Sequence, residues 1–151
     1  MTRMNNPDWI PIPIPNRTQM KKTLVPGVTA EARQRVVTEN LVSFRKPDAP
    51  PVLATPWLLY IMETAAYEAL RPHLDDGEAS VGTGFEFEHL APTPVGETVV
   101  ATARVLSVEG NRVAMEFEAR DSRETIARGK HLRTVIHLDR FLARLKKKSD
   151  G

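Results

Sequence analysis

The alternation of apolar and polar residues predicts one long helix followed by a series of strands. The segment 57–70 is apolar almost all the way round a helix, which is typical of a helix that the rest of the fold encloses. Thr55 and Pro56 precede it, and their residue types suit the N-cap and the first helical position. A carboxylate, Glu63, lies in its middle. Because burying an unpaired carboxylate is costly, we expect Glu63 to have a partner or a chemical role.

Beyond Pro72 the apolar residues recur at every second position, which is the period of a strand with one face turned to the core. One strand is predicted to begin at Ala79, with its odd positions facing inward. His89 lies on that inward face, at the end of the strand. Upstream of the helix, residues 32–44 predict another strand, although the alternation there is poor.

Three more strands and a short terminal helix are predicted. They cover residues 97–108, 112–121, 125–138 and 139–147. Gly110 and Asn111 are typical hairpin-turn residues, so the first two of these strands should form a hairpin. The inward-facing residues of its second strand are expected to be Val113, Met115, Phe117 and Ala119. Gly129 lies within the last strand, where a glycine indicates a bulge or a close approach of another backbone.

The composition indicates one compact domain. The chain has 151 residues, of which 41% are hydrophobic, and this suits a single core. It contains no cysteine, which excludes disulfides and thiolate metal sites and suits a reducing cytoplasm. The first residues lack the apolar stretch of a signal peptide, and no apolar run approaches the roughly 20 residues of a membrane span. We therefore expect a cytoplasmic protein with no membrane partner.

The two ends of the chain differ from the rest in composition. Residues 1–17 are predicted to form an arm, because prolines alternate with isoleucines there and remove the amides that a sheet requires. The domain is expected over residues 18–147, followed by a basic tail end over residues 148–151. The net charge is only +2, and much of the excess lies near the C-terminus. Terminal charge runs are usually solvated, so no nucleic-acid partner is expected.

Four short motifs are more specific than the pattern. In chain order they are Ala54-Thr55-Pro56, Met62-Glu63, residues 80–83 (Ser-Val-Gly-Thr) and residues 89–96 (His-Leu-Ala-Pro-Thr-Pro-Val-Gly). Their order and spacing resemble the fluoroacetyl-CoA thioesterase-like family of hotdog proteins. Later segments extend the likeness to about residues 20–147. The resemblance implies an α+β hotdog fold, in which an antiparallel sheet wraps around one long central helix, and a homodimer that binds acyl-CoA at its interface.

The resemblance also implies an acyl-CoA thioesterase that hydrolyses a small or medium acyl group and needs no cofactor, since coenzyme A is part of the substrate. The implied catalytic residues are Thr55, Glu63 and His89, and the expected substrate contacts are Gly82, Pro56 and Trp57. Thioester hydrolysis needs a nucleophile or base and a proton donor for the departing thiolate. Glu63 and His89 suit these roles, and as a pair they should titrate together. Whether Glu63 attacks the carbonyl carbon or activates water stays open.

Helix geometry separates two of these residues. Thr55 and Glu63 are eight positions apart, which is roughly 12 Å along a regular helix and beyond hydrogen-bond reach. We therefore expect either an irregular first turn or, preferably, a dimer whose subunits complete the site together. Each residue also has a purely structural interpretation: Thr55 as an N-cap, Glu63 as a carboxylate satisfied by backbone donors, His89 as a structural histidine. The other histidines are interpreted as structural, and no metal site is expected.

The acyl group is left open by the sequence. Fluoroacetyl-specific members of the family carry phenylalanines that cover the acyl pocket shortly before the Ala-Thr motif. Here residues 45–53 read Arg-Lys-Pro-Asp-Ala-Pro-Pro-Val-Leu, without an aromatic residue, so fluoroacetyl specificity does not follow. Two other functions stay open: a non-catalytic acyl-CoA-binding hotdog module, and a hotdog enoyl-CoA hydratase, whose Asp and His motif is not found.

Overall fold

A computed structural model describes residues 23–151; the predicted arm over residues 1–17 lies outside the described residues. The strands are β1 (Thr29–Arg35), β2 (Glu78–His89), β3 (Thr98–Glu109), β4 (Arg112–Arg120) and β5 (Thr125–His137). The helices are α1 (Val42–Arg45), α2 (Thr55–Leu70) and α3 (Leu138–Asp150), with short 3-10 turns at Thr38–Asn40 and Arg71–His73. The predicted helix and the four strands beyond Pro72 are therefore confirmed.

The strands form one antiparallel sheet in the order β1-β3-β4-β5-β2. The sheet curls around α2, which contacts β1, β2, β3 and β4. One face of α2 supplies the centre of the core, and its buried residues are Leu58, Ile61, Met62, Ala65, Ala66, Ala69 and Leu70. Their spacing of three and four positions is that of a single helix face. The predicted α+β architecture is confirmed.

The hairpin of β3 and β4 follows the sequence prediction closely. The chain reverses at Gly110, whose φ of 62° lies in the left-handed region that glycine adopts without strain. The four residues of β4 that were predicted to face inward, Val113, Met115, Phe117 and Ala119, are all buried. Turn residues and strand alternation were therefore sufficient to place this hairpin.

Strand β2 departs from the predicted alternation. The prediction placed its odd positions inward throughout, yet Ser80 is the buried residue near its start, and the pairing with β5 shifts register between Gly82 and Gly84. A bulge inserts one residue and so exchanges the two faces of a strand. Even positions therefore face the interior before the bulge, whereas Phe85 and His89 face it afterwards, as predicted.

Gly129 marks a close approach of two backbones, as its position in β5 predicted. A Cβ atom built there would lie 2.2 Å from the carbonyl oxygen of Glu86 and 2.5 Å from Cβ of Phe87. The rings of Phe87 and Phe117, from the two strands that flank Gly129, pack 6.0 Å apart. Two aromatic side chains thus fill the volume that the glycine leaves.

The remaining boundaries differ from prediction at both ends of the domain. The strand predicted over residues 32–44 is wrong beyond Arg35, because the chain turns where Asn40 Oδ1 accepts a hydrogen bond from the Val37 amide. Polar side chains that bond to nearby backbone groups in this way favour turns over strands. The terminal helix α3 continues through Asp150, beyond its predicted end. Within residues 23–151, no helix is long and apolar enough to cross a membrane.

Candidate active site

The start of α2 differs by one residue from its prediction. Ala54 is the N-cap, and Thr55 and Pro56 are the first two helical residues, so the expectation that Thr55 caps the helix is wrong. The entry into the helix is held instead by backbone hydrogen bonds, from the Ala54 amide to Asn40 and from the Leu58 amide to Ala54. The hydroxyl of Thr55 is therefore not needed as a cap.

That hydroxyl contacts His89 at the end of β2. Thr55 Oγ1 and His89 Nδ1 are 3.0 Å apart. The other ring nitrogen, Nε2, is buried and makes no hydrogen bond within the described part of the chain. Burial lowers the pKa of His89, and a contact with the Ala91 backbone only partly opposes the shift. His89 is thus a neutral imidazole at neutral pH, and its Nε2 has no hydrogen-bond partner among the described residues.

Glu63 lies two turns further along α2, in an environment that the sequence did not predict. The helix is not enclosed on every side, because one stripe stays exposed in the single chain; its aromatic members are Trp57, Tyr60 and Tyr67. Glu63 lies beside this stripe with 42% of its side chain exposed. Its partner is Arg133 of β5, whose Nη1 is 3.4 Å from Glu63 Oε1. The carboxylate is therefore paired and half-exposed rather than buried.

Glu63 and His89 do not form the predicted pair within one chain. Among residues 23–151, no hydrogen bond joins them: His89 bonds to Thr55, and Glu63 bonds to Arg133. The separation of Thr55 from Glu63 that helix geometry predicted is present, and the site consists of two clusters along α2.

Gly82 lies directly opposite Glu63 on β2. A Cβ atom at this position would be 2.7 Å from Glu63 Oε1 and 3.1 Å from Cε1 of His131. Real Cβ atoms do not approach other atoms at the first of these distances. The glycine thus lets the Glu63 carboxylate lie against the strand.

Replacing Gly82 with alanine is expected to move the Glu63 carboxylate and to lower kcat about tenfold, because displacements of about 1 Å are costly to catalysis. Thr83→Ala is the matched control, since it alters the next residue without adding volume. Both variants should be compared by steady-state hydrolysis and by thermal melting. A folded Gly82→Ala enzyme with the wild-type kcat would show that the position of Glu63 is not critical.

Two site neighbours, His131 and Arg133, were not singled out by the sequence. His131 is fully buried, stacks on Phe85 with ring centroids 3.8 Å apart, and bonds through Nδ1 to the Gly84 carbonyl at 2.9 Å. Burial lowers its pKa to about 4; the Gly84 hydrogen bond opposes this shift and the charge of Arg133 adds to it. The sequence offered little signal for them, because the apolar residues of β5 fall at both odd and even positions and so do not show which face is buried.

Comparison with known proteins decides the family. The family model described as fluoroacetyl-CoA-specific thioesterase matches residues 36–139, which include both clusters of the site. The chain belongs to this thioesterase family. Family membership confirms the resemblance expected from the four motifs, and makes the protein a thioester hydrolase.

Individual relatives agree with this assignment. The fluoroacetyl-CoA thioesterase of Streptantibioticus cattleyicolor is 42% identical over 100 residues, which are 66% of this chain and 72% of that protein. The crystal structure of a mutant of the fluoroacetyl-CoA-specific thioesterase FlK is 36% identical, with a TM-score of 0.78 over 85% of this chain and 99% of that one. A thioesterase-superfamily member from Thermus thermophilus is 28% identical, with a TM-score of 0.80 over 85% and 96% of the two chains. The predicted hotdog fold is confirmed.

The metal-ligating capacity of the described region is low. Among residues 23–151, no group of three or more histidine, aspartate or glutamate side chains is placed to hold a metal ion. The side chains that the site does bring together are a half-exposed carboxylate, a neutral imidazole with a hydroxyl partner, and a buried guanidinium.

Proposed function

We propose that this family member is a cytoplasmic acyl-CoA thioesterase that hydrolyses a short acyl-CoA ester, with Thr55, Glu63 and His89 as its catalytic residues. The observation that carries the proposal is the Thr55–His89 hydrogen bond of 3.0 Å. Two motifs separated by 34 residues meet there, and the second nitrogen of the imidazole is left without a protein partner. Buried polar atoms are usually hydrogen-bonded, so a purely structural histidine would be expected to have partners for both ring nitrogens.

In this proposal, water is the second reactant and the thioester carbonyl carbon is the electrophile. Glu63 either removes a proton from the attacking water or attacks the carbon itself, giving an anhydride that water then opens. The carbon–sulfur bond breaks in either case, and the thiolate ends with the proton that the water gives up. His89, neutral and hydrogen-bonded to Thr55, is suited to accept the proton of the attacking water, directly or through Glu63, and to deliver it to the sulfur.

Backbone amides are candidates for stabilising the charge that develops on the carbonyl oxygen. The N-terminus of α2 carries amide groups without helical partners, and it begins at Thr55, beside His89. Pro56 lacks an amide hydrogen and the Trp57 amide donates to the Ala54 carbonyl, so the Thr55 amide and the amides around Gly82 are the better candidates. Trp57 is 40% exposed and packs edge-on against Tyr60 at 6.0 Å, which is compatible with its expected contact with the substrate.

The proposed enzyme is a homodimer that pairs its sheets through β2. Strand β2 lies at one edge of the sheet, and an edge strand offers unpaired backbone groups to another chain. The exposed aromatic stripe of α2 lies on the same side of the domain as Glu63. A two-fold axis beside β2 would cover both features and bring the Glu63 cluster of one chain towards the Thr55–His89 cluster of the other.

Light scattering at assay concentrations is expected to give twice the chain mass. On dilution, activity per chain should fall as dimers dissociate, if both chains contribute to each site. The elution volume and kcat should change over the same concentration range. A dilute, stable and fully active monomer would remove the shared site from the proposal.

Release of free thiol from a panel of acyl-CoA esters tests the function directly. Acetyl-, fluoroacetyl-, butyryl- and octanoyl-CoA differ in length and in electron withdrawal, so their ranking reports the acyl preference. Fluoroacetyl-CoA belongs in the panel because of the relatives, although residues 45–53 lack the aromatic side chains expected of a covered acyl pocket. Thiol release from the shorter esters supports the proposal. Hydration of crotonyl-CoA without thiol release would support the hydratase, and tight binding without turnover would support the binding module.

A further inference from the structure

Arg133 is a buried charge for which the proposed hydrolysis has no direct use. Its exposed fraction is only 3%, and its guanidinium contacts the proposed catalytic residue Glu63. Isolated charges are very costly to bury. Arginine keeps its charge in proteins, so the surrounding groups must stabilise the guanidinium.

Ser80 and His131 satisfy most of the guanidinium. Arg133 Nε donates to Ser80 Oγ at 3.0 Å, and Nη2 donates to the Ser80 carbonyl at 2.9 Å. Nη1 lies 3.2 Å from His131 Nε2 and 3.4 Å from Glu63 Oε1. The Tyr67 ring lies 6.0 Å from the guanidinium carbon. Within residues 23–151, Glu63 is the one carboxylate in an ion pair with Arg133.

The hydrogen bonds also define the protonation of His131. The Gly84 carbonyl can only accept, so the proton of His131 is on Nδ1, which lies 2.9 Å from it. In a neutral ring the other nitrogen, Nε2, is then an acceptor, and it receives a hydrogen bond from Arg133 Nη1. A protonated ring would instead direct a donor at a guanidinium that only donates.

These contacts connect the sheet to helix α2 through Arg133. Ser80 and His131 lie on adjacent, paired strands, and His131 is further held by its stack on Phe85. Glu63 comes from α2, is 42% exposed, and is hydrogen-bonded to Arg133. The sheet thus fixes Arg133, and Arg133 is the group that holds the Glu63 carboxylate against Gly82.

We propose that Arg133 is a positioning residue for Glu63, and that neutral His131 and Ser80 hold Arg133 in the orientation that this role requires. The inference rests on the proposed function, in which Glu63 takes part in the reaction. Loss of the positioning contacts leaves binding of the acyl-CoA intact but lets the carboxylate leave its productive position. Such a defect lowers kcat with little change in KM.

A matched pair of substitutions at residue 131 tests this role. His131→Gln places an amide oxygen near the position of Nε2 and so keeps an acceptor for Arg133. His131→Asn places its amide near Nδ1, which keeps the contact with Gly84 but removes that acceptor. Both variants lose the stack on Phe85, so their melting temperatures should fall by similar amounts.

The expected result is a kcat within about threefold of wild type for His131→Gln and a loss of about tenfold or more for His131→Asn, with KM little changed in both. A merely structural histidine would make kcat follow the melting temperature instead. Equal kcat values for the two folded variants would overturn the proposal. If neither variant folds, Ser80→Ala, which removes one acceptor of Arg133 and leaves His131 intact, replaces them and is likewise expected to lower kcat.

A double-mutant cycle separates this inference from the proposed function. Ser80→Ala should lower kcat in the wild-type background but have no further effect once Glu63→Gln has removed the carboxylate. If Glu63→Gln alone leaves kcat unchanged, the proposed function fails. If Glu63→Gln lowers kcat but Ser80→Ala lowers it equally in both backgrounds, Ser80 acts independently of Glu63, and only the positioning role fails.

Discussion

Replacing Glu63 with glutamine is expected to lower kcat at least about 100-fold, the contribution typical of a general base or acid. Glutamine nearly keeps the volume and one acceptor oxygen but cannot take up a proton or attack the thioester. The substitution should also destabilise the protein, because Arg133 would lose its anionic partner. Half of the carboxylate is exposed, so this cost should be near the lower end of about 1–3 kcal/mol.

Glu68→Gln is the control for this substitution. Glu68 lies on the same helix and is paired with Arg71 at the surface, with an N–O distance of 2.9 Å, so removing its charge should change neither kcat nor stability appreciably. Thiol release and thermal melting should be measured for both variants. A folded Glu63→Gln enzyme with near wild-type kcat would exclude a catalytic Glu63 and favour the acyl-CoA-binding module.

Local patterns in the sequence were enough to predict most of the fold. The apolar run 57–70 became α2, and the Gly110 turn with its flanking alternation became the β3–β4 hairpin. Both elements depend on residues that are close together in the sequence, so the local pattern is enough to predict them. The bulge between Gly82 and Gly84 cannot be predicted in this way, because the position of an inserted residue depends on how β2 pairs with β5. The face assignment of the first half of β2 was therefore wrong.

The sequence predicted the residues of the candidate site better than it predicted the contacts between them. Thr55, Glu63 and His89 came from motif order, but which of them meet depends on where β2 ends relative to α2. The position of the end of β2 relative to α2 is set by tertiary packing, and it cannot be read from the spacing of the residues along the chain. The surroundings of Glu63 were missed for a similar reason. An apolar helix suggested full enclosure, whereas in one chain a stripe of α2 is left exposed beside the sheet edge.

Arg133 shows why a charged residue within a predicted strand should be considered together with the other charges of the core. Its position on β5 is buried, and a charge at such a position requires a partner. The partner, Glu63, lies 70 residues away, and each of the two charges accounts for the presence of the other. When a sequence places two opposite charges in elements that form one core, an ion pair between them is the first arrangement to test.

Replacing His89 with alanine is expected to lower kcat about 100-fold, because the neutral ring that carries a proton from water to the thiolate would be lost. His73→Ala is the matched control: that histidine bonds to Thr23 away from the site, at 2.7 Å, and its removal should leave kcat unchanged. Thr55→Val, which keeps the shape of the side chain and removes only the hydroxyl, should give an intermediate loss, since Nδ1 of His89 then lacks its partner.

The pH dependence of kcat/KM distinguishes catalysis by His89 from a structural effect of its loss. Burial lowers the pKa of His89 below its ordinary value of 6.5, so the neutral ring persists to more acidic pH than in an unfolded chain. Activity should therefore be level from pH 8 to about pH 6.5 and fall only below that range, as the ring takes up a proton. In His89→Ala the residual activity should lose this acidic limb. If the limb is unchanged in the folded variant, another group titrates there, and the assignment of His89 is wrong.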